Sequence, residues 1–319
     1  VASTAVAQDN VEVAEARRDA PSAPPVTLDD QTDVTWSTRD VPELIDVIPS
    51  QQGYRFDAEL AATQLTEALQ QGLETIPADV TTEDLQELNV TELLGTFTTY
   101  HSCCQNRVAN IHRLADMVDG TVVRPGEQFS INQISGVREC SKGFAAAGMI
   151  LRGEIVDVCG GGGSQFGTTT INAVFFAGLE PDTYKPHSFY ISRYPMGREA
   201  TLNYPSPDID VRFTNTTGNG ILVTTSYSST SITVSIYGNN DVDTVTAVHG
   251  SPHSYRSPET RYRENDDRAP GQSQVVQSGR SGFSIGVTRI ITYEDGTEER
   301  DDWSNTYVPQ HEIIERNTT

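Results

Sequence analysis

Four consecutive glycines, Gly160 to Gly163, followed by Ser164, Gln165 and a helical run through Phe176, constrain this chain more than any other stretch. Ordering four glycines is entropically costly, so such a run belongs where the backbone passes close to something or turns through positive φ. A hydroxyl in the first turn of the following helix sits among free N–H groups at the positive end of the helix dipole. That place stabilises an anion, either a bound carboxylate or the oxyanion of acyl transfer. For acyl transfer Ser164 is the nucleophile, the Gln165 N–H one oxyanion donor, and His187 the candidate base. Arg193 and Arg198, with Glu199, are candidates for binding a substrate carboxylate or orienting the site. The structural alternative is that Ser164 caps a helix and the glycines permit tight packing. The run is not a nucleotide-binding loop, because no Lys follows, and not a Gly-x-Ser-x-Gly elbow, because Phe166 stands where the second Gly belongs.

The charge balance narrows the function class. Among 319 residues, 22 Lys and Arg face 44 Asp and Glu, for a formal net charge of −22. Phosphate backbones need clustered basic residues, so nucleic acid is excluded as a partner, and anionic lipid surfaces are disfavoured. No apolar run reaches the length of a membrane-spanning helix. The opening, Val1 onward, carries neither Met nor a signal-peptide pattern and reads as a processed or truncated start. No cofactor motif is present, and no metal site is assigned. His101, Cys103, Cys104 and His112 match no zinc-ligand spacing. Four cysteines suit two bridges in an oxidising compartment, in three possible connectivities. Cys140 and Cys159 form a plausible local pair, which leaves Cys103 and Cys104 as a vicinal bridge or as free thiols.

The pattern of apolar residues reads as an α+β protein in four parts. Residues 1–92 form a partial α+β unit whose helix, capped by Asp57 and ended by Gly72, aligns Leu60, Leu65, Ala68 and Leu69. Residues 93–238 form the core. There a strand at 96–100 precedes a helix with Val108, Ile111, Ala115 and Val118 on one face. Strands are expected at 187–195 and 200–204, and an antiparallel meander from 209 to 238 with a turn at Thr217–Gly220. Residues 239–272 are polar and Pro-bearing and read as a linker or arm. Residues 273–319 return to strands, with a hairpin at Asp295-Gly296.

Several long motifs then occur in one order: FTTYHSCCQNRVANIHRLADMVDGTVVRPGEQFSIN, GFAAAGMILRGE, CGGGGSQFGTTTINAVFFAGL and HSFYISRYPMGREATLNYPSPDIDVRFTN. Together they resemble the VanW family in its actinobacterial form. Upstream, DVIPSQQGYRFDAELAATQL resembles the last half of a peptidoglycan-binding-like repeat. Downstream, VTRIITYEDGTEERDDWSNTYVP is similar to a β-rich module of the five-glycine type. The resemblance implies an extracytoplasmic, cell-envelope-associated or secreted bacterial protein whose partner is peptidoglycan or its stem peptides. Some members are linked to L,D-transpeptidation through a cysteine thioester in a Gly-Gly-Gly-x-Cys-Gln motif. Ser164 stands at that cysteine, Gln165, Thr168 and Thr169 follow the family pattern, and His187 matches its His-Ser pair. By this resemblance Gly161, Gly162, Gly163, Gln165, Thr168 and Thr169 join Arg193 and Arg198 as substrate-binding candidates. An alcohol is a far weaker nucleophile than a thiolate, so Ser164 favours a binding or structural role over an acyltransferase or hydrolase. A third reading is an assembly subunit or adhesin, in which a cleaved upstream segment or a neighbouring subunit completes the partial first unit.

Overall fold

The computed structural model describes residues 34–37, 52–56, 80–85, 87–101, 105–151 and 154–318. The expected helix between Asp57 and Gly72 and both Cys103 and Cys104 lie outside these residues. The architecture is α+β, with several small sheets, three α-helices among the described residues and a β-rich C-terminal part.

The central sheet is antiparallel, in the order β4 (Glu92–Tyr100), β12 (Ser231–Gly238), β11 (Ile221–Tyr227) and β5 (Thr121–Val123). Strict alternation in β12 turns Ile232, Val234 and Ile236 inward and Ser231, Thr233 and Ser235 outward. On the outward face the hydroxyls of Thr98 and Thr233 meet at 2.7 Å, and those of Thr96 and Ser235 at 2.8 Å, so cross-strand pairs fix the register. The inward face packs on α1 (Gln105–Val118) and α3 (Gly163–Phe176). α1 buries the apolar face expected of it, with Ile111, Ala115 and Val118 inaccessible. α3 is buried around its whole circumference, Ser164 being its one residue that is not. β4 crosses the end of α3 at Gly95, where a Cβ would stand 2.4 Å from the Ala177 nitrogen.

A second sheet joins β6 (Gln128–Ser130), β10 (Arg212–Thr214) and β9 (Pro181–Thr183). The short helix α2 (Ile131–Ser135) follows β6. Its start is capped by Ser130 and by buried Asp210, which accepts from the Ser130 hydroxyl at 2.6 Å and the Asn132 N–H at 3.0 Å. The expected meander is therefore corrected: β11 and β12 pair, but β10 belongs to another sheet. The hairpin β7 (Ala146–Leu151) and β8 (Glu154–Cys159) leads into the glycines, and a Cys140–Cys159 disulfide ties its end to the preceding turn. Residues 187–203 hold no extended strand, only turns and one bridge between Asn203 and Ile209. The expected strands at 187–195 and 200–204 are thus corrected: residues 194–200 are buried in succession, not alternately.

Residues 239–272 are not a linker. They supply β13 (Val242–His249), β14 (His253–Arg256) and β15 (Thr260–Glu264). β13 pairs with β17 (Gly282–Tyr293), and on its other side with β1 (Val34–Ser37). β17 also pairs with β14 and with β18 (Glu298–Tyr307), through the hairpin expected at Asp295-Gly296. The apolar side of this sheet, Val245, Ala247, Val287, Ile291 and Trp303, joins the same core as α3. Trp303 meets Phe175 edge-on at 4.9 Å. Buried Arg289 lies between them and bonds Glu180 and Asp301, each at 2.8 Å, and the Leu179 carbonyl at 2.8 Å. A last sheet sets β19 (Glu312–Arg316) between β15, which is parallel to it, and β16 (Ser273–Gln277), which is antiparallel. β2 (Gln52–Phe56) and β3 (Val80–Asp84) form a separate antiparallel pair.

Candidate functional site

The tetraglycine corner is packed against protein on every side that a side chain would occupy. A Cβ on Gly161 would stand 2.0 Å from the Ala147 carbonyl oxygen, so β7 runs directly over this residue. Gly162 is the N-cap of α3 with φ 102°, a left-handed conformation that glycine adopts at little cost. Asn110 of α1 secures the corner: its amide donates to the Gly161 carbonyl at 2.9 Å and the Ala145 carbonyl at 2.8 Å. It also accepts from the Ala145 N–H at 2.7 Å. Of the two sequence readings, close packing accounts for the run, with Gly162 rather than Ser164 as the cap.

Ser164 is half-buried, and its Oγ accepts from the Leu202 N–H at 3.2 Å. No hydrogen bond joins it to His187 among the described residues. The Gln165 N–H, expected to serve an oxyanion, donates to the Gly162 carbonyl at 2.9 Å. The Gln165 side chain is fully buried and committed: its Oε1 accepts from Arg107 at 2.8 Å, and its Nε2 donates to Thr99 Oγ1 at 3.1 Å and the Tyr100 carbonyl at 3.0 Å. Thr168 and Thr169 are equally enclosed. Thr168 exchanges hydrogen bonds with the backbone of Ala200, and Thr169 with Thr99. These three residues brace α3 against its neighbours and do not line an open surface.

Arg198 departs furthest from expectation. It is wholly buried, with its guanidinium 5.0 Å from the Phe175 ring, 5.1 Å from Phe176 and 6.0 Å from Phe97. Those aromatic faces stabilise the cation internally, so it is not a surface clamp for a carboxylate. Its neighbour Glu199 is buried too, accepting from Asn305 at 2.7 Å and from the Tyr307 hydroxyl at 2.9 Å. Burial pushes its carboxyl up to about 7, against those two hydrogen bonds. Asn305 also donates to the His187 carbonyl at 2.9 Å, and Tyr307 accepts from the Gly197 N–H at 2.9 Å. β18 thereby holds the whole 187–199 loop.

His187 is buried, with its ring 5.4 Å from that of Tyr194. Burial, and then the charge of Arg193, push its imidazole down to about 4. Arg193 itself is exposed and lies 4.9 Å over the other ring contact of that loop, Tyr194. Arg107, which the sequence reading passed over, connects the parts: its guanidinium donates to Gln165 Oε1 and, at 3.4 Å, to the Tyr194 hydroxyl. Arg107 stands one turn inside an amphipathic helix on the half-exposed side, and nothing in the helix periodicity separates it from an ordinary surface arginine.

Comparison with known proteins agrees with the motifs. Residues 106–237 match the family described as VanW like protein, and residues 255–319 match the G5 domain. The uncharacterized protein YoaR of Bacillus subtilis (strain 168) is 34% identical over 154 residues, which are 48% of this chain and 50% of that protein. The chain thus spans about half the length of this curated relative. A solved structure described as "IgA1 Protease G5 domain structure" is 22% identical and covers 25% of this chain and 96% of its own, with a TM-score of 0.17. No helix among the described residues is long and apolar enough to cross a membrane. One chain thus holds, in succession, a segment similar to the VanW-like family and a segment similar to the G5 domain.

Proposed function

We propose that this is an extracytoplasmic cell-envelope protein that binds peptidoglycan, through wall sugars and stem peptides, in an accessory or structural role. The observation that carries the reading is the succession of a VanW-like domain and a G5 domain in one chain. The geometry around α3 supports binding over acyl transfer. The Ser164 hydroxyl is met by a backbone amide and not by an imidazole, and the Gln165 N–H is already used. An alcohol without a base within about 2.6–3.2 Å is a poor nucleophile at neutral pH. The test is retention of the full chain on purified peptidoglycan at low salt. Pelleting of the protein with the wall is expected, and a fully soluble protein would sink the reading.

One feature favours acyl transfer as a second reading: Ser164 is the half-exposed residue of an otherwise buried helix. Incubating wild type and Ser164→Ala with stem tetrapeptides, followed by mass spectrometry, separates the two. Identical product profiles are expected from a binding protein.

A further inference from the structure

A cleft of about 560 Å³ opens where the end of α3 meets the turn between β10 and β11, the link between β12 and β13, and the end of β17. Its size lies within the usual range of ligand pockets, about 300–1,000 Å³. It belongs to neither family-like segment alone. The turn lies within residues 106–237, Tyr293 and Glu294 lie within 255–319, and the 239–242 link falls between the two. Side-chain amides stitch the walls together. Asn219 donates from Nδ2 to the Asn239 carbonyl at 2.9 Å and accepts at Oδ1 from Asn89 at 2.9 Å. Asn240 donates to the Ala177 carbonyl at 3.2 Å and accepts from the Val242 N–H at 3.2 Å. The Glu294 N–H donates to the Asp241 carbonyl at 2.9 Å. Tyr293, the aromatic member of the lining, is held through its hydroxyl, which donates to Glu299 at 2.8 Å.

The chemistry of these walls suits a neutral, hydroxyl-rich ligand. A primary amide offers two N–H donors and a carbonyl oxygen with two lone pairs. The bonds above use one donor and one lone pair of Asn219 and of Asn240, so each amide keeps one of either kind. A hydroxyl both donates and accepts, and neighbouring hydroxyls on a sugar ring can satisfy both sides of one amide. Asn239 adds a third amide, and the exposed Asp241 carboxylate accepts from hydroxyl donors. None of the described lining residues is cationic. The field at this end is negative, since burial and then the charge of Glu294 hold the Glu92 carboxyl above its usual range. Anions are therefore disfavoured. Tyr293, Leu179 and Val242 supply the apolar part of the lining, on which the C–H face of a sugar or an acetamido methyl can pack. The walls are hydrogen-bonded to one another before a ligand arrives, which lowers the ordering cost of binding.

We propose that this cleft, walled by Asn219, Asn239, Asn240, Asp241 and Tyr293, is a saccharide subsite that takes an N-acetylated sugar of a glycan strand. The proposal rests on the peptidoglycan-binding reading and gives it a place, the seam between the two family-like segments rather than the glycine corner. The part of the wall it recognises is the neutral sugar backbone and not the carboxylate-bearing peptides.

Calorimetric titration of the full chain tests it with three probes: chitotetraose, an oligomer of N-acetylglucosamine; cellotetraose, its counterpart with hydroxyls in place of the acetamido groups; and calcium chloride. Saturable binding of chitotetraose is expected, with cellotetraose weaker. Asn239→Ala and Asp241→Ala change side chains that make no hydrogen bond among the described residues. Each should weaken chitotetraose about three- to ten-fold, the loss of one hydrogen bond, with thermal unfolding unaltered. Backbone amide signals of residues 216–219 and 239–242 should move in NMR spectra on addition of chitotetraose. No saturation, or an unchanged affinity in both variants, would overturn the proposal. Cellotetraose binding as tightly as chitotetraose would also overturn it, by removing the acetamido group as the recognised feature. Calcium binding that Asp241→Ala abolishes, without chitotetraose binding, would overturn it as well and make the cleft a cation site. Wall retention of wild type without chitotetraose binding would remove this subsite and leave peptidoglycan binding intact. Chitotetraose binding that the variants weaken, without wall retention, would do the reverse.

Discussion

Gly161 and Gly126 separate two reasons for glycine. Gly161 has no room for a side chain, whereas Gly126 has open space around it but φ +79°. Gly161→Ala should cost about 3 kcal/mol by forcing β7 away from the corner, and Gly126→Ala only about 1 kcal/mol through its backbone conformation. Urea unfolding of the two variants measures the difference. Glu199 and His187 make a second pair, with opposite pH signatures. Glu199 is raised from 4.5 to about 7, so folding takes up its proton, and its contribution is complete below pH 4.5 and lost as pH rises through 7. His187 is lowered from 6.5 to about 4, so its contribution is complete above pH 6.5 and lost as pH falls towards 4. Each slope amounts to roughly 3 kcal/mol over its range, and the two oppose each other between pH 4.5 and 6.5. Glu199→Gln should therefore make stability fall more steeply on acidification across that interval, and His187→Gln should make it fall on alkalinisation. Chemical denaturation at a series of pH values reads both. At this scale the sequence told that the glycines permit close packing. It did not tell that Arg198 is interior, because a buried arginine is recognisable only from the Phe97, Phe175 and Phe176 rings that surround it, and all three are far from it in the chain.

At the scale of elements, legibility follows locality. α1, β12 and the β17–β18 hairpin were readable because their period or their turn lies within a few residues. β10 was legible as a strand but not in its sheet, and β13 was not legible, since what places them is a partner elsewhere: β6 and β9 for β10, and β1 and β17 for β13. The polarity of 239–272 has the same origin, because β14 and β15 are exposed strands and need no apolar face. β18 carries the most consequential side chain of the C-terminal sheet. Trp303 packs on Phe175 and Tyr184, and its indole N–H donates to Asp301 at 2.6 Å. Trp303→Ala should cost about 3–5 kcal/mol. It should also loosen the His187 loop, which β18 holds through Asn305 and Tyr307, and faster hydrogen exchange at residues 187–199 would report it.

At the scale of the whole molecule, the VanW-like domain and the strands after it share one interior, in which Val287, Ile291 and Trp303 meet Phe175 and Val174. The full chain should lose near-UV circular dichroism and tryptophan burial from this region in a single thermal transition. Deleting residues 255–319 should expose Phe175 and its neighbours and yield a species that binds hydrophobic dyes. Two separate transitions resolved by calorimetry would contradict this. The family resemblance made two modules legible from their motifs, but not their fusion, because a shared interior leaves no mark on either motif.

The last strand has a mechanical consequence. β19 runs parallel to β15, and Glu315 within it is gripped by Arg263 at 2.7 Å, Arg268 at 2.6 Å and Asn265 at 2.9 Å. Tension drawn along the tail would load all those bonds in shear at once rather than opening them one after another. A pull at that end would therefore be resisted by the whole set together, as a parallel pair held in shear resists.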